Sequence, residues 1–335
     1  MQHLHIHANS HYEAGRQIGV ATRELQLRYF KQFIPEHSWE MVIEKSLPYL
    51  METQKAFPHL VEEIRGLAEG IGLPFENVWA FQCRDEIDKT LAERCSSVFI
   101  KTSGGWIVGH NEDDYWDGFS KNDARSYYFI VHKSIQNNSI LYLACPLMIG
   151  GETVSINSSG IIQTINTLHH QDVQIGVPKN IIARALSEAK DLAEVTEIFE
   201  KTKRASGYCH TLLINDDLYC IESSEDKYEF IQTSDKFVHT NHYLGSLSVC
   251  EDPLHNGKDI SINRCQNIKQ KIDFIQTAEE LKELLQTQTA SADSIYRDGE
   301  GTHTMATTVI DPKNKKIYCA NENRGTTTSW MNIDL

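Results

Sequence analysis

The stretch RCSSVFIKTSGGWIVGHNED, residues 94–113, indicates how this chain folds. Two runs rich in apolar and β-branched residues, 97–101 and 106–110, flank a Gly-Gly pair, and this combination is typical of a β-hairpin. Before this stretch the apolar residues follow a helical spacing, whereas after it strand-like runs dominate. Cys95 therefore lies where a helical region gives way to strands.

The order of the predicted elements indicates an α+β fold. A short strand at residues 4–8 precedes helical spacing over most of residues 9–87. Strand-like runs follow, and predicted helices interrupt them at 178–201 and 261–288. Because strands and helices do not alternate one by one, we expect antiparallel sheets with helices on their outer faces.

Composition excludes several classes of protein. The 335 residues are 40% hydrophobic, which is typical of a globular protein rather than a disordered chain. Lys and Arg number 32 against 46 Asp and Glu, a net charge of −14 that disfavours binding to nucleic acid or to anionic membranes. No apolar run is long enough for a transmembrane helix.

Cysteine usage and the N-terminal sequence predict the compartment. The eight cysteines include no CxxC pair, and the first residues, MQHLHIHANS, lack the apolar core of a signal peptide. Free thiols are typical of a reducing compartment, so we expect a cytoplasmic protein without a disulfide framework.

Cys95 is the first candidate for chemistry. If the peptide bond before it were cut, Cys95 would gain an α-amino group with a pKa of about 7.7–8.0, able to accept the thiol proton at neutral pH. Nucleophile and base would then belong to one residue. By itself, however, a cysteine in such a sequence is more typical of a buried structural thiol.

Three polar residues at the ends of predicted elements could assist such a nucleophile. Asp113 ends the second strand of the hairpin, and a carboxylate there would orient an ammonium group beside Cys95. Asn241 follows a strand in HTNHY and could donate to an oxyanion. Arg264, in SINR at a predicted helix start, could hold a polar network. Each also fits a structural role, as an acidic loop, a turn residue or a surface charge.

A competing interpretation involves the N-terminal histidines. His3, His5 and His7 share one face of the predicted first strand, because strand side chains alternate. Such a set could contribute to a zinc site and support metal-dependent amide hydrolysis. No second group with matching ligand spacing follows, which favours an exposed histidine-rich strand.

Seven segments, taken in chain order, resemble the acyl-coenzyme A:isopenicillin N acyltransferase family. That family belongs to the N-terminal-nucleophile (Ntn) hydrolases and is related to bile salt hydrolases and penicillin V acylases. The resemblance implies a four-layer αββα sandwich of two antiparallel sheets between helices. It also implies a helical segment at 1–94 and a core at 95–335, packed as one globular unit. The segments are YEAG with its following helix from residue 12, 59–87, RCSSVFI at 94–100, GHNED at 109–113, NSSGIIQTIN at 157–166, HTNHYL at 239–244 and SINR at 261–264.

The resemblance also implies roles for individual residues. Cys95 would be the nucleophile, released by self-cleavage of the Arg94–Cys95 bond. Asp113 would hold its α-amine, Asn241 would supply an oxyanion-hole donor, and Arg264 would complete the polar network.

Two further residues match positions that contact substrate in the family. His110 stands where related hydrolases often have Arg or Gln, and Asn166 matches an Asn whose backbone N–H can complete the oxyanion hole. The chain departs from the fungal acyltransferases at Arg94, where those proteins have Gly.

The expected activity is therefore that of a cysteine amidohydrolase or acyltransferase. Its substrate would be a small N-acyl amine or acyl thioester, and neither a metal nor an organic cofactor is required. The two pieces would stay associated after cleavage. The sequence leaves open hydrolysis against transfer, a homo-oligomer, and a catalytically silent binding protein on the same scaffold.

Overall fold

The N-terminal third of the chain is one strand followed by helices. The computed structural model describes residues 1–32, 38–87, 95–115, 125, 127–255, 257–298, 302–322 and 328–334. The elements up to residue 87 are β1 (Gln2–Ala8), α1 (His11–Ala21), α2 (Arg23–Gln32), α3 (Trp39–Ala56), α4 (Pro58–Ile71), α5 (Phe75–Gln82) and α6 (Arg84–Ile87).

Thirteen further strands and four further helices follow in the described residues. The strands are β2 (Ser96–Thr102), β3 (Gly105–Tyr115), β4 (Phe129–Ile135), β5 (Asn138–Ala144), β6 (Val154–Asn157), β7 (Ile162–Thr167), β8 (Tyr208–Ile214), β9 (Asp217–Ser223), β10 (Tyr228–Ile231), β11 (Lys236–His239), β12 (Thr302–Asp311), β13 (Lys316–Ala320) and β14 (Met331–Asp334). The helices are α7 (Lys179–Leu186), α8 (Leu192–Lys201), α9 (Lys258–Lys269) and α10 (Ala278–Leu285).

The strands form two sheets. The first has the order β1-β4-β5-β6-β7-β8-β9-β10, and the second has the order β11-β2-β3-β12-β13-β14. Neighbouring strands run antiparallel in both sheets, except that β1 pairs with β4 in parallel. The N-terminal segment thus contributes the edge strand of the first sheet.

Alternation along β2 shows how the layers stack. Phe99 belongs to a core that includes Ile130 and Leu143 of the first sheet, so this face of β2 lies between the sheets. Val98 and Ile100 belong to a second core with residues of α9 and α10. Helices α1 and α4 cover the outer face of the first sheet at β1 and β4. The predicted α+β fold, a four-layer αββα sandwich, is confirmed.

Two helix boundaries differ from a simple reading of the sequence. The helical region predicted up to residue 87 ends in two short helices, α5 and α6. The helix predicted from Ser261 begins earlier, at Lys258, so Ser261 lies inside α9. There its hydroxyl accepts a hydrogen bond from the backbone N–H of Asn241 at 2.7 Å.

One helix end was predictable from its glycine. Helix α4 ends at Gly72, which has φ +84°, a left-handed conformation that favours glycine. Among the described helices, none combines the length and the apolar character needed to cross a lipid bilayer.

Candidate active site

Cys95 precedes β2, a central strand of the second sheet. The hairpin pairs Ser96 with Asn111 and Ser97 with His110, so Cys95 is level with Glu112. Alternation turns Cys95, Ser97 and Glu112 toward the first sheet. The Cys95 thiol, in a residue only 3% exposed, donates to Glu112 Oε2 at 3.5 Å.

A chain of polar contacts runs from the thiol across the gap between the sheets. Glu112 Oε2 lies 3.1 Å from His110 Nε2, and His110 Nδ1 lies 3.1 Å from Ser97 Oγ. Ser97 Oγ in turn donates to Asn166 Oδ1 of β7 at 2.7 Å. The structure therefore brings His110 and Asn166, both expected to contact substrate, into one network with Cys95.

His110 is neutral in this network. Burial lowers its pKa to about 3, and a neutral imidazole carries only one N–H. His110 can therefore donate to Glu112 or to Ser97, but not to both at once. The ring therefore links Glu112 to Ser97 without placing a positive charge near the thiol.

Arg264 fixes the other side of Cys95. Its Nη2 donates to the backbone carbonyl of Cys95 at 3.2 Å, and its Nε donates to Ser96 Oγ at 3.0 Å. The same Nη2 donates to Asn241 Oδ1 at 2.5 Å. The guanidinium is fully buried, so Arg264 is not the surface charge that its isolated sequence would suggest.

Asn241 is oriented by these contacts. With Oδ1 held by Arg264, its Nδ2 points away and donates to the carbonyl of Thr167 at 3.2 Å. An amide nitrogen carries two hydrogens, so a second N–H is available for a further acceptor. Asn241 and Arg264 thus lie together at the end of the second sheet where Cys95 leads into β2.

Asp113 lies one position out of register with Cys95. The hairpin register puts Glu112, not Asp113, level with Cys95, and the next side chain points to the helix layer. Asp113 Oδ1 accepts from Thr304 Oγ1 at 2.6 Å. Asp113 Oδ2 is buried and has no hydrogen-bond partner among the described residues. Burial raises the pKa of Asp113, while Arg264 and Arg297 act in the opposite direction.

Glu112 was not predicted as a site residue. The signal was present in the hairpin, since strand alternation from His110 puts Glu112 on the same face. Arg94, the other residue of the expected cleavage site, lies outside the described residues.

Potential metal ligands gather at three places in the described residues. These groups are Cys95, His110 and Glu112; Cys209, Cys220 and His239; and His11, His59 and Glu188. None of the three includes the N-terminal histidines. His3, His5 and His7 alternate with the buried Leu4 and Ile6, as a half-exposed strand face requires. The alternative of a zinc enzyme built on these histidines gains no support from the described residues.

Residues 100–326 match the family model for acyl-coenzyme A:6-aminopenicillanic acid acyl-transferase. This chain belongs to that family. The resemblance predicted from sequence is confirmed, and membership supports an Ntn-type acyltransferase or amidohydrolase. The matched range begins after Cys95, so the match does not by itself assign the nucleophile.

Two solved structures similar to this chain are variant forms of the conjugated bile acid hydrolase from Clostridium perfringens. They are 12% and 13% identical in sequence, with TM-scores of 0.42 and 0.45. Each comparison covers 72% of this chain and 92% of the other. No curated protein matches this chain in sequence.

Acid is expected to destabilise the fold through its buried histidines. Burial lowers the pKa of His110, His210 and His242 to about 3 each. Below about pH 6.5 the unfolded chain gains protons that the folded chain does not, so stability falls by about 1.4 kcal/mol per pH unit and histidine. Urea unfolding at pH 7, 6 and 5 measures this slope. His210→Gln should make it shallower, whereas the exposed His7→Gln should not; equal slopes in all three proteins would contradict the assignment.

Proposed function

We propose that this protein is a cysteine Ntn amidohydrolase or acyltransferase with Cys95 as nucleophile. The thiolate attacks the carbonyl carbon of an N-acyl amine or acyl thioester, and the amine or thiol leaves with a proton. Water or an amine then takes the acyl group and regenerates the thiol. The observation that carries the proposal is that Arg264 Nη2 contacts both the carbonyl of Cys95 and the amide of Asn241, at the head of a strand between two sheets.

Self-cleavage before Cys95 would complete the site. The new α-amine could accept the thiol proton, because its pKa near 7.7–8.0 suits neutral pH. Asp113 lies one position beyond the residue level with Cys95, and its buried Oδ2, which has no hydrogen-bond partner among the described residues, is the proposed acceptor for the new ammonium group. The Cys95 thiol would attack the Arg94 carbonyl carbon, so that the Arg94–Cys95 C–N bond breaks and a thioester forms. Water then hydrolyses the thioester, which leaves a carboxylate on Arg94 and the free thiol and α-amine on Cys95.

Asn241 is proposed to stabilise the oxyanion. Its carbonyl oxygen is held by Arg264, which leaves an amide N–H for the negative charge that develops on the substrate. A preorganised donor of this kind contributes about 2.7–4 kcal/mol to the transition state. Asn166 is a second candidate, because its buried Nδ2 has no hydrogen-bond partner among the described residues.

The family suggests the substrate class. An acyl-coenzyme A acyltransferase moves an acyl group between a thioester and an amine, so the thioester and the N-acyl amine are the two candidate acyl donors. Both present an acyl carbonyl bonded to a heteroatom, sulfur or nitrogen, that leaves with a proton. A screen should therefore pair N-acyl amines, including conjugated bile acids, with acyl thioesters.

Selective alkylation tests the nucleophile. One equivalent of iodoacetamide is expected to modify Cys95 and to abolish turnover of the best substrate in that screen. Cys250 is the natural comparison, because it is the only cysteine that is not buried. Peptide mass spectrometry locates the adduct, and labelling of Cys250 with activity retained would remove Cys95 from this role. Burial raises the pKa of Cys319 to about 12, so that thiol should stay unmodified.

A further inference from the structure

A second cluster of polar side chains lies on the outer, helix-covered face of the first sheet. We call His11, His59 and Glu188 the His–Glu cluster. His11 is the first residue of α1, His59 is the second residue of α4, and Glu188 follows the end of α7. Their ligand atoms lie within 4.8 Å of one another and open onto a cavity of about 630 Å³.

The three side chains converge in a way that suits a tetrahedral ion. His59 Nε2 lies 3.3 Å from Glu188 Oε2, and His11 Nε2 lies 3.7 Å from Glu188 Oε1. With zinc–ligand bonds of about 2.0–2.1 Å, neighbouring ligand atoms of a tetrahedral site lie about 3.3–3.4 Å apart. The cluster is thus close to the required spacing before any ion draws it together.

Buried neighbours fix the orientation of the ligands. Glu63 Oε2 lies 2.9 Å from His11 Nδ1. An ionised carboxylate only accepts, so the proton of a neutral His11 is on Nδ1 and Nε2 presents a lone pair. That lone pair faces Glu188, which is also an acceptor. A bridging proton or a metal cation can join them, and the third converging ligand atom together with the adjoining cavity favours the metal.

In metalloproteins, a metal-binding histidine commonly donates its other ring N–H to a carboxylate, as His11 does to Glu63. Arg184 Nη2 donates to Glu188 Oε1 at 2.6 Å, which orients the carboxylate between the two histidines. The imidazole rings of His11 and His59 have centroids only 4.7 Å apart, so two protonated rings would repel each other. One divalent ion satisfies all three side chains without that repulsion.

The charges around the cavity permit a cation. Glu62 and Glu188 line it, and Glu63 lies behind His11. The cationic side chains at the same place are Lys133, which is paired with Glu63 at 2.6 Å, Arg184, and Arg65, which is paired with Glu62 at 3.1 Å. Three carboxylates against three cations leave no net positive charge to repel an ion while the imidazoles are neutral.

We propose that the His–Glu cluster binds one Zn²⁺ ion, with water from the cavity as a further ligand. Two imidazoles and one carboxylate are a ligand set that zinc accepts. The ion would join α1 and α4, which precede Cys95, to the segment after α7, which follows it. It would therefore hold the two sides of the expected cleavage point together and raise the thermal midpoint of unfolding.

Metal titration of the full-length protein tests this proposal. EDTA-treated and dialysed protein would be titrated with ZnCl₂ by calorimetry and with CoCl₂ by absorption spectroscopy. We expect one tight ion per chain and visible Co²⁺ bands of a tetrahedral nitrogen and oxygen site, without a thiolate charge-transfer band. His59→Ala should weaken Zn²⁺ binding by more than about 100-fold, since even the loss of an outer-shell partner costs 10–100-fold.

Controls separate this site from others and from the proposed activity. His59 is partly exposed, so His59→Ala is expected to fold, which circular dichroism would verify. His7→Ala and Cys95→Ala should both bind Zn²⁺ like the wild type, and Cys95→Ala does so even if it is inactive. The proposal is overturned if the wild type binds no Zn²⁺, if His59→Ala and Glu188→Gln keep wild-type affinity, or if a thiolate band appears.

Discussion

Cys95→Ala is expected to abolish turnover and to leave the chain uncut. The substitution removes both the sulfur that would attack substrate and the sulfur that would attack the Arg94 carbonyl, while the alanine fits the same strand. Denaturing gel electrophoresis and intact mass spectrometry of wild type should show two pieces, residues 1–94 and residues 95–335. The variant should show one chain of 38.2 kDa.

Cys250→Ala is the matched control for this experiment. It also replaces a thiol by a methyl group, but at the half-buried position outside the candidate active site. It should be cut and should turn over substrate like the wild type. A fully active wild-type enzyme that remains one chain would contradict the role of the α-amine. The base would then be sought at Glu112, which already accepts from the thiol, and at His110 beside it.

The two pieces should stay together after cleavage, because residues on both sides of Cys95 share one core. Strand β1 pairs with β4 over its whole length, so the N-terminal piece completes the first sheet. Glu63 of α4 forms ion pairs with Lys133 at 2.6 Å and Arg184 at 3.0 Å, all three buried. Separation would break both ion pairs of Glu63, at a cost of several kcal/mol.

The architecture was largely predictable from sequence because it depends on local patterns. The hairpin around residues 103–105 sets the register of β2 and β3, and glycine ends α4 where expected. Helix limits were less predictable, since they depend on tertiary contacts. Ser261, for example, lies inside α9 and uses its hydroxyl to hold the backbone of Asn241.

The candidate site was predictable only in part. Motifs pointed to Cys95, Asn241 and Arg264, which the structure brings into contact. Glu112 was missed, although it accepts from the thiol, because a one-residue difference in register decides which carboxylate faces Cys95. The burial of Arg264 was also not predictable, since the sequence near it does not show which strands will cover α9.

Asn241→Ala is expected to lower kcat by about 10²–10³-fold with little change in KM. The amide N–H would act on the charge that appears on the carbonyl oxygen in the transition state, and the ground state has little of that charge. Arg264→Lys should also lower kcat, because the Asn241 amide would no longer be held in place. A lysine has the charge, but it cannot donate from separate nitrogens to Ser96 and Asn241, so the amide loses its orientation.

Asn157→Ala separates this effect from the general cost of removing a buried amide. Asn157 is also buried, at the end of β6 in the first sheet, and its Nδ2 donates to the carbonyls of Ser187 and Ala189. Its loss should lower the free energy of unfolding by about 1–3 kcal/mol and leave kcat of the folded enzyme nearly unchanged. If Asn241→Ala showed the same pattern, with kcat intact and stability reduced, Asn241 would be a structural residue. The oxyanion donor would then be sought at Asn166, whose buried Nδ2 has no hydrogen-bond partner among the described residues.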